Sequence, residues 1–202
     1  MQASLSFWRY VIAVLAVLAS FWALPLAAQQ QNYIAADLVA ESSPLAGETL
    51  TVALRFRPQE GWHGYWSNPG EAGLGMELDW NLPAGWEAGE PLYPVPERLI
   101  LFDIVNHAYG RDYTVLVPIT VPEQAAVANL APITLDARWL ACSDELCVPE
   151  QATLTLRFPQ ASDALRGEFD LARAAIPPMI DRAGSFAFTQ DHLRLAIPLP
   201  AA

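Results

Sequence analysis

The sequence predicts an all-β fold, an antiparallel β-sandwich over about residues 33–159, and three observations carry that expectation. Apolar residues recur at every second position in five separate runs, the period of strands with one buried face. Clusters of Pro, Gly, Ser and Asn separate the runs at hairpin spacing. No helical period intervenes between them, which removes the parallel α/β architectures. In chain order, Leu50, Val52, Leu54 and Phe56 alternate with Thr51, Ala53, Arg55 and Arg57. Met76, Leu78, Trp80 and Leu82 alternate with Glu77, Asp79 and Asn81. Val115, Val117, Ile119 and Val121 follow, with Pro118 on the opposite face pointing to an edge strand. Ile133, Leu135, Ala137 and Trp139 make the fourth run, and Leu154, Leu156 and Phe158 close the series. Ser43-Pro44, Asn68-Pro69-Gly70 and Pro83-Ala84-Gly85 are the turns. Short strands so arranged fit an immunoglobulin-like sandwich.

The flanks obey different rules. Residues 1–28 have the parts of a secretory signal: Arg9 as the only charge, an apolar run from Tyr10 to Leu24, and small residues at Ala27-Ala28 for cleavage. Export would take the chain out of the cytoplasm, and outside it a Cys pair is normally oxidised or deliberately cycled. Beyond the sandwich, Ser162 can cap a short helix with Leu165, Phe169, Ala172 and Ile176 on one face, ending before Pro177-Pro178. That helix belongs to an expected linker over 160–185. Phe186, Phe188 and the run 193–197 then read as strands, the truncated start of a second β domain over 186–202, because two strands alone bury no core.

Composition narrows the function classes. Of 202 residues, 53% are hydrophobic and 16% charged, with a mean hydropathy of +0.21, so the chain can fill a core. The net charge is −11 and all 11 basic residues are Arg. Such an acidic surface repels phosphate backbones, which argues against nucleic acid as a partner. His63, His107 and His192 are scattered, and no Cys-x-x-Cys or His-x-x-x-His spacing exists, so neither a metal centre nor a cofactor is expected. No phosphate loop or Gly-x-Ser-x-Gly element appears.

The chemistry therefore has to be sought at Cys142 and Cys147. They occupy the shoulders of the loop between two strands, and no third Cys competes, so they are expected to pair with Cα atoms within about 4.4–6.8 Å. So small a ring constrains the unfolded chain by only about 2 kcal/mol, against ~4.7 for a hundred-residue loop. Low structural worth at an accessible loop fits a labile, exchanging disulfide, while a purely structural bridge fits the spacing equally. Asp144 and Glu145 inside the ring disfavour a thiolate, so the free dithiol should react mainly with a docked partner.

Four segments together resemble the periplasmic N-terminal domain of DsbD-type thiol:disulfide interchange proteins, including the ScsB copper-tolerance branch. They are Gly61-Trp62-His63-Gly64-Tyr65-Trp66-Ser67-Asn68-Pro69-Gly70, Pro94-Val95-Pro96-Glu97-Arg98, Tyr109-Gly110, and Trp139-x-x-Cys142-x4-Cys147-x-Pro149. The resemblance implies a Cys142–Cys147 pair that shuttles between disulfide and dithiol. It implies electrons arriving from a thioredoxin-like domain, fed by a membrane-embedded domain missing from this chain. They would leave to periplasmic acceptors such as disulfide isomerases or cytochrome c maturation thioredoxins. It also implies a cap over the pair near Asn106-His107-Ala108. His107, Ala108, Tyr109, Trp62, Tyr65 and Trp66 are the shielding candidates, because Ala108 stands where better-known members carry a bulky aromatic. From the strand register, and not from the resemblance, Cys147 is expected to be the more buried sulfur, packed by Leu146 and the cap, and Cys142 the one attacked. Two other functions stay open on the residues: a binding sandwich with a structural disulfide, and a copper-binding domain using the soft thiolates.

Overall fold

A computed structural model describes residues 32–101, 103–128, 130–158, 163–178, 180 and 182–198. The expected signal segment and the Ser162 cap lie outside the described residues. The strands are β1 (Ile34–Ala40), β2 (Thr49–Pro58), β3 (Gly64–Gly70), β4 (Glu77–Asn81), β5 (Glu87–Ala88), β6 (Glu97–Leu101), β7 (Ile104–Tyr109), β8 (Tyr113–Thr120), β9 (Ile133–Cys142) and β10 (Cys147–Leu156). After them come α1 (Asp163–Ala174) and a hairpin of β11 (Ser185–Phe188) and β12 (Leu193–Ala196). Among the described residues no helix is long and apolar enough to cross a membrane.

Two antiparallel sheets make the sandwich, one in the order β1-β2-β8-β5 and one in the order β10-β9-β4. Their inner faces are the alternating apolar sets of the sequence. Val52, Leu54, Phe56, Val115, Val117 and Ile119 meet Ile133, Leu135, Trp139, Leu154 and Leu156 in one core. Phe56 anchors it, stacked on Tyr113 at 4.9 Å between ring centroids and edge-on to Trp139 at 5.5 Å. The fold class expected from the periodicity is the one observed.

The first sheet is covered on its outer face too. Phe169 and Ala172 of α1 bury Ala53 and Leu116, with Val39 and Ile176 beside them, so β2 and β8 are apolar on both sides where the helix lies. Arg55 fastens this layer by binding Asp37 on β1 and Glu168 on α1, the latter at 2.8 Å. Part of the stretch expected as linker is thus a docked helix. In the β11–β12 hairpin, register places Phe186 opposite Leu195 and Phe188 opposite Leu193, and all four side chains are exposed.

Three local expectations are corrected. Pro118 does not mark an edge strand, because β8 lies between β2 and β5. Its carbonyl accepts from Gly89 N–H, so its missing N–H faces the side where β5 gives way to the single bridge between Leu92 and Leu116. Asn68-Pro69-Gly70 is not a turn but the bulged end of β3: Tyr65 pairs with Ala108 and Gly70 with Asn106, leaving four residues on β3 against one on β7. Finally, β1, β3, β6 and β7 carry no clean alternation in sequence. The last three form a small third sheet, β3-β7-β6, which positions the site.

Candidate functional site

At the tip of the β9–β10 hairpin Cys142 lies opposite Cys147. Cys142 spends both backbone groups on the other side: His63 N–H donates to the Cys142 carbonyl at 2.8 Å, and Cys142 N–H donates to the His63 carbonyl at 3.0 Å. Cys142 and Cys147 are therefore a non-hydrogen-bonded pair, the arrangement in which facing Cα atoms come closest, about 4.5 Å. The two form a disulfide with Cα atoms 4.0 Å apart, tighter than the expected 4.4–6.8 Å for this reason. The alternation continues down the ladder. Leu140 opposite Pro149 is again a non-hydrogen-bonded pair, so Pro149 sits where the absent N–H costs the sheet no bond. The Cys-x-Pro spacing follows from that register.

The loop closing the ring is tied by Ser143. Its N–H donates to the Leu146 carbonyl at 2.8 Å, and its hydroxyl oxygen accepts from Glu145 and Leu146 N–H at 3.3 and 3.2 Å. Behind the disulfide, Glu150 is 5% exposed, and among the described residues no salt bridge reaches its carboxylate. It accepts instead from Trp139 Nε1 at 2.8 Å, from Ile34 N–H at 3.1 Å and from Tyr33 N–H. This knot joins β10 to β9 and to the start of β1, holding the hairpin tip in a fixed frame.

The two sulfurs differ sharply in environment. Cys142 is 1% exposed and packs with Tyr65, Ala108, Leu99 and Leu140, whereas Cys147 is exposed, as is Leu146 beside it. The expectation that Cys147 is the more buried is overturned. The third sheet lies over the β9 side of the pair, so it covers Cys142 and leaves the returning strand open.

The shielding candidates separate into distinct positions. Tyr65 and Ala108 form the buried cluster with Cys142. Gly73, at φ +90°, lies so close over the Tyr65 ring that an added Cβ would fall 2.4 Å from it, so that backbone presses the ring down. Tyr109 turns away: it stacks on Tyr113 at 4.2 Å, donates to the Pro94 carbonyl at 2.8 Å and belongs to the main core. His107 is partly exposed, bonded through Nδ1 to the Asn68 carbonyl at 3.0 Å and edge-on to Trp66. Trp62 is stacked on Tyr33 at 3.6 Å. Trp66 and Trp62 both pack at the margin of the main core.

Reading the sequence missed His63 as a neighbour of the disulfide. It is 5% exposed, with Nε2 3.2 Å from the Tyr65 hydroxyl. Burial pushes its pKa below the ordinary 6.5, against a smaller upward pull from the Asp144 carboxylate. Burial alone pushes the Tyr65 hydroxyl up. A period of two linking His63 to Tyr65 was the available signal. Directly opposed residues of antiparallel segments share a face, so His63, just before β3, forms one row with Cys142 on β9 and Cys147 on β10. Beside that row opens a cavity of about 190 Å³, lined by Trp62, His63, Glu97, Leu99, Ala108 and Asp144 among others.

Comparison with known proteins places this arrangement. The N-terminal periplasmic domain of ScsB from Proteus mirabilis has the same fold, with a TM-score of 0.64 at 18% identity, over 84% of this chain and 66% of that one. The chain thus spans just under two thirds of that relative. The Neisseria meningitidis DsbD N-terminal domain in the reduced form aligns at 18% identity over 63% of this chain and 87% of that one, with a TM-score of 0.42. The complex of the DsbD and PilB N-terminal domains from Neisseria meningitidis aligns at 17% identity over 58% and 80%, with a TM-score of 0.37. No curated protein sequence matches the chain. The family described as thiol:disulfide interchange protein DsbD, N-terminal, matches residues 30–159, which contain every residue of the site. The chain belongs to the family of DsbD N-terminal domains.

Proposed function

We propose that the domain is a periplasmic thiol–disulfide exchange module in which Cys142–Cys147 relays reducing equivalents from a thioredoxin-like donor domain to periplasmic acceptor proteins. The observation that carries this reading is the asymmetry of the pair: one sulfur belongs to an exposed residue and the other to a buried one. A donor thiolate attacks the Cys147 sulfur; the Cys142–Cys147 bond breaks and its electron pair stays on Cys142. The donor's second thiol then attacks its own sulfur in the mixed disulfide, which leaves the domain as a dithiol and the donor as a disulfide. Toward an acceptor disulfide the sequence runs backward, with Cys147 attacking and Cys142 resolving.

In the same reading residues 1–28 export the chain, 160–185 join the sandwich to a second β domain, and a membrane-embedded domain in the full-length protein feeds the donor. Further strands of that second domain would cover the exposed face of the β11–β12 hairpin. The test is trapping. A Cys142→Ser variant, mixed with a thioredoxin-like protein whose attacking thiol is activated as a mixed disulfide, should accumulate a covalent complex through Cys147. The Cys147→Ser variant should form the complex through Cys142 far more slowly. Equal trapping, or none in either variant with the fold intact, contradicts the reading.

A further inference from the structure

A thiolate released at Cys142 is poorly placed. The residue is 1% exposed, so the charge has lost its water, and Asp144 in the adjoining loop is a like charge. Both favour the neutral thiol, and a proton has to reach the sulfur as it forms. His63 is the ionisable neighbour in position to bring one. It is hydrogen-bonded to Cys142 through both backbone groups and faces the same side. In such pairs the Cβ atoms stand about 4.5–5.5 Å apart, a gap that an imidazole and a thiol together bridge. Its ring is held from the other side by Tyr65, edge-on at 5.3 Å with Nε2 at the hydroxyl, and Tyr65 itself packs on Cys142. The row borders the 190 Å³ cavity, which gives the ring a route to the outside.

We propose that His63 is the proton partner of Cys142, delivering to the Cys142 sulfur a proton drawn from solvent through the adjoining cavity as the disulfide opens. The inference rests on the exchange reading above. The step balances: the donor thiolate, its own proton already lost to solvent, bonds to Cys147, the electron pair of the broken bond stays on Cys142, and His63, having taken a proton from water in the cavity, protonates that sulfur. In the return direction His63 takes the proton from Cys142 as it attacks Cys147. The titratable groups facing the ring are Tyr65 on β3, Asp144 on the Cys loop and Glu97 on β6, the last paired with Arg111 at 2.7 Å. Burial keeps His63 neutral and ready to accept at pH 7, while Asp144 steadies the imidazolium once it forms.

The experiment is stopped-flow reduction of the oxidised domain by a thioredoxin-like dithiol and by dithiothreitol, from pH 5 to 9. Wild type is compared with His63→Gln and His63→Asn. Both variants are expected to lower the pH 7 rate by about a hundredfold, a typical loss when a proton-transfer group is removed, and to erase an inflection below pH 6.5. Superimposable profiles overturn the proposal while leaving the relay intact. A wild type that reacts with dithiothreitol but never with the thioredoxin-like protein sinks the relay instead. Should the variants fail to fold, the His63 ring resonances of the wild type decide. Their titration should differ between the oxidised and the dithiothreitol-reduced domain, and identical titrations overturn the proposal.

Discussion

Replacing Glu150 by Leu removes the acceptor from Trp139 Nε1 and from the N–H groups of Tyr33 and Ile34 at once. Each buried donor left unsatisfied costs about 1–3 kcal/mol, so the variant should lose about 3 kcal/mol or more in denaturant unfolding. Glu150→Gln, which keeps an accepting oxygen, should lose less. The disulfide itself is worth less than this knot: Cys142→Ser with Cys147→Ser should cost about 2 kcal/mol and leave the domain folded but unable to exchange. A double variant that unfolds makes the bridge structural. His63 adds a pH signature. Its folded pKa lies below the unfolded 6.5, so the unfolded chain takes up the proton first. Its share of stability is complete above pH 6.5 and is lost as pH falls from there through the folded value. Asp37 acts lower. Burial would push its carboxyl up, but Arg55 and Arg57 outweigh that and hold it below 3.8, so its share persists until pH falls through that depressed value. Melting temperatures between pH 7.5 and 5 should drop in wild type, with the His63 part of the drop missing in His63→Gln. A parallel drop in both assigns it elsewhere. At this scale the pairing of Cys142 with Cys147 was legible. Glu150 and His63 were not, since a lone Glu or His in a strand gives no sign of being buried until its cross-strand neighbours are known.

Among the elements, the third sheet decides access to the pair. Tyr65→Ala should open the cover over Cys142 and speed alkylation of that thiol in the reduced domain. His107→Ala, at the partly exposed rim, should leave the rate close to wild type. Tyr109→Ala should destabilise the core, because that ring stacks on Tyr113 rather than on the disulfide. Faster labelling in His107→Ala with no change in Tyr65→Ala would move the cover to the rim. The helix is a separate unit of packing. Phe169→Ala should cost about 3–5 kcal/mol, the range for emptying a buried Phe site, and should release α1 from Ala53 and Leu116 without changing the exchange rate. Legibility here followed the physics of the strands. β2, β8 and β9 carry long apolar alternation and were read as strands, whereas only the last part of β10, Leu154 and Leu156, was. β3 contains Gly64, Pro69 and a bulge, and β6 begins after Pro94-Val95-Pro96, so turn residues masked two strands that are held by pairing rather than by pattern.

In the molecule as a whole, the sandwich supplies a rigid frame and the disulfide sits at one hairpin tip, outside the main core and covered on one side. That placement leaves Cys147 exposed while Cys142 is buried beside the third sheet. The fold class was legible because two inner faces of alternating residues leave little choice of architecture. The order of the sulfurs was not, since it depends on which side of the hairpin a third sheet covers. The most direct measurement is the equilibrium reduction potential of Cys142–Cys147 in defined thiol–disulfide buffers at pH 7. An exchanging pair should lie well above about −300 mV, where partners can reduce and reoxidise it. A value below about −300 mV would make the bridge a structural pin, and the exchange account would fail.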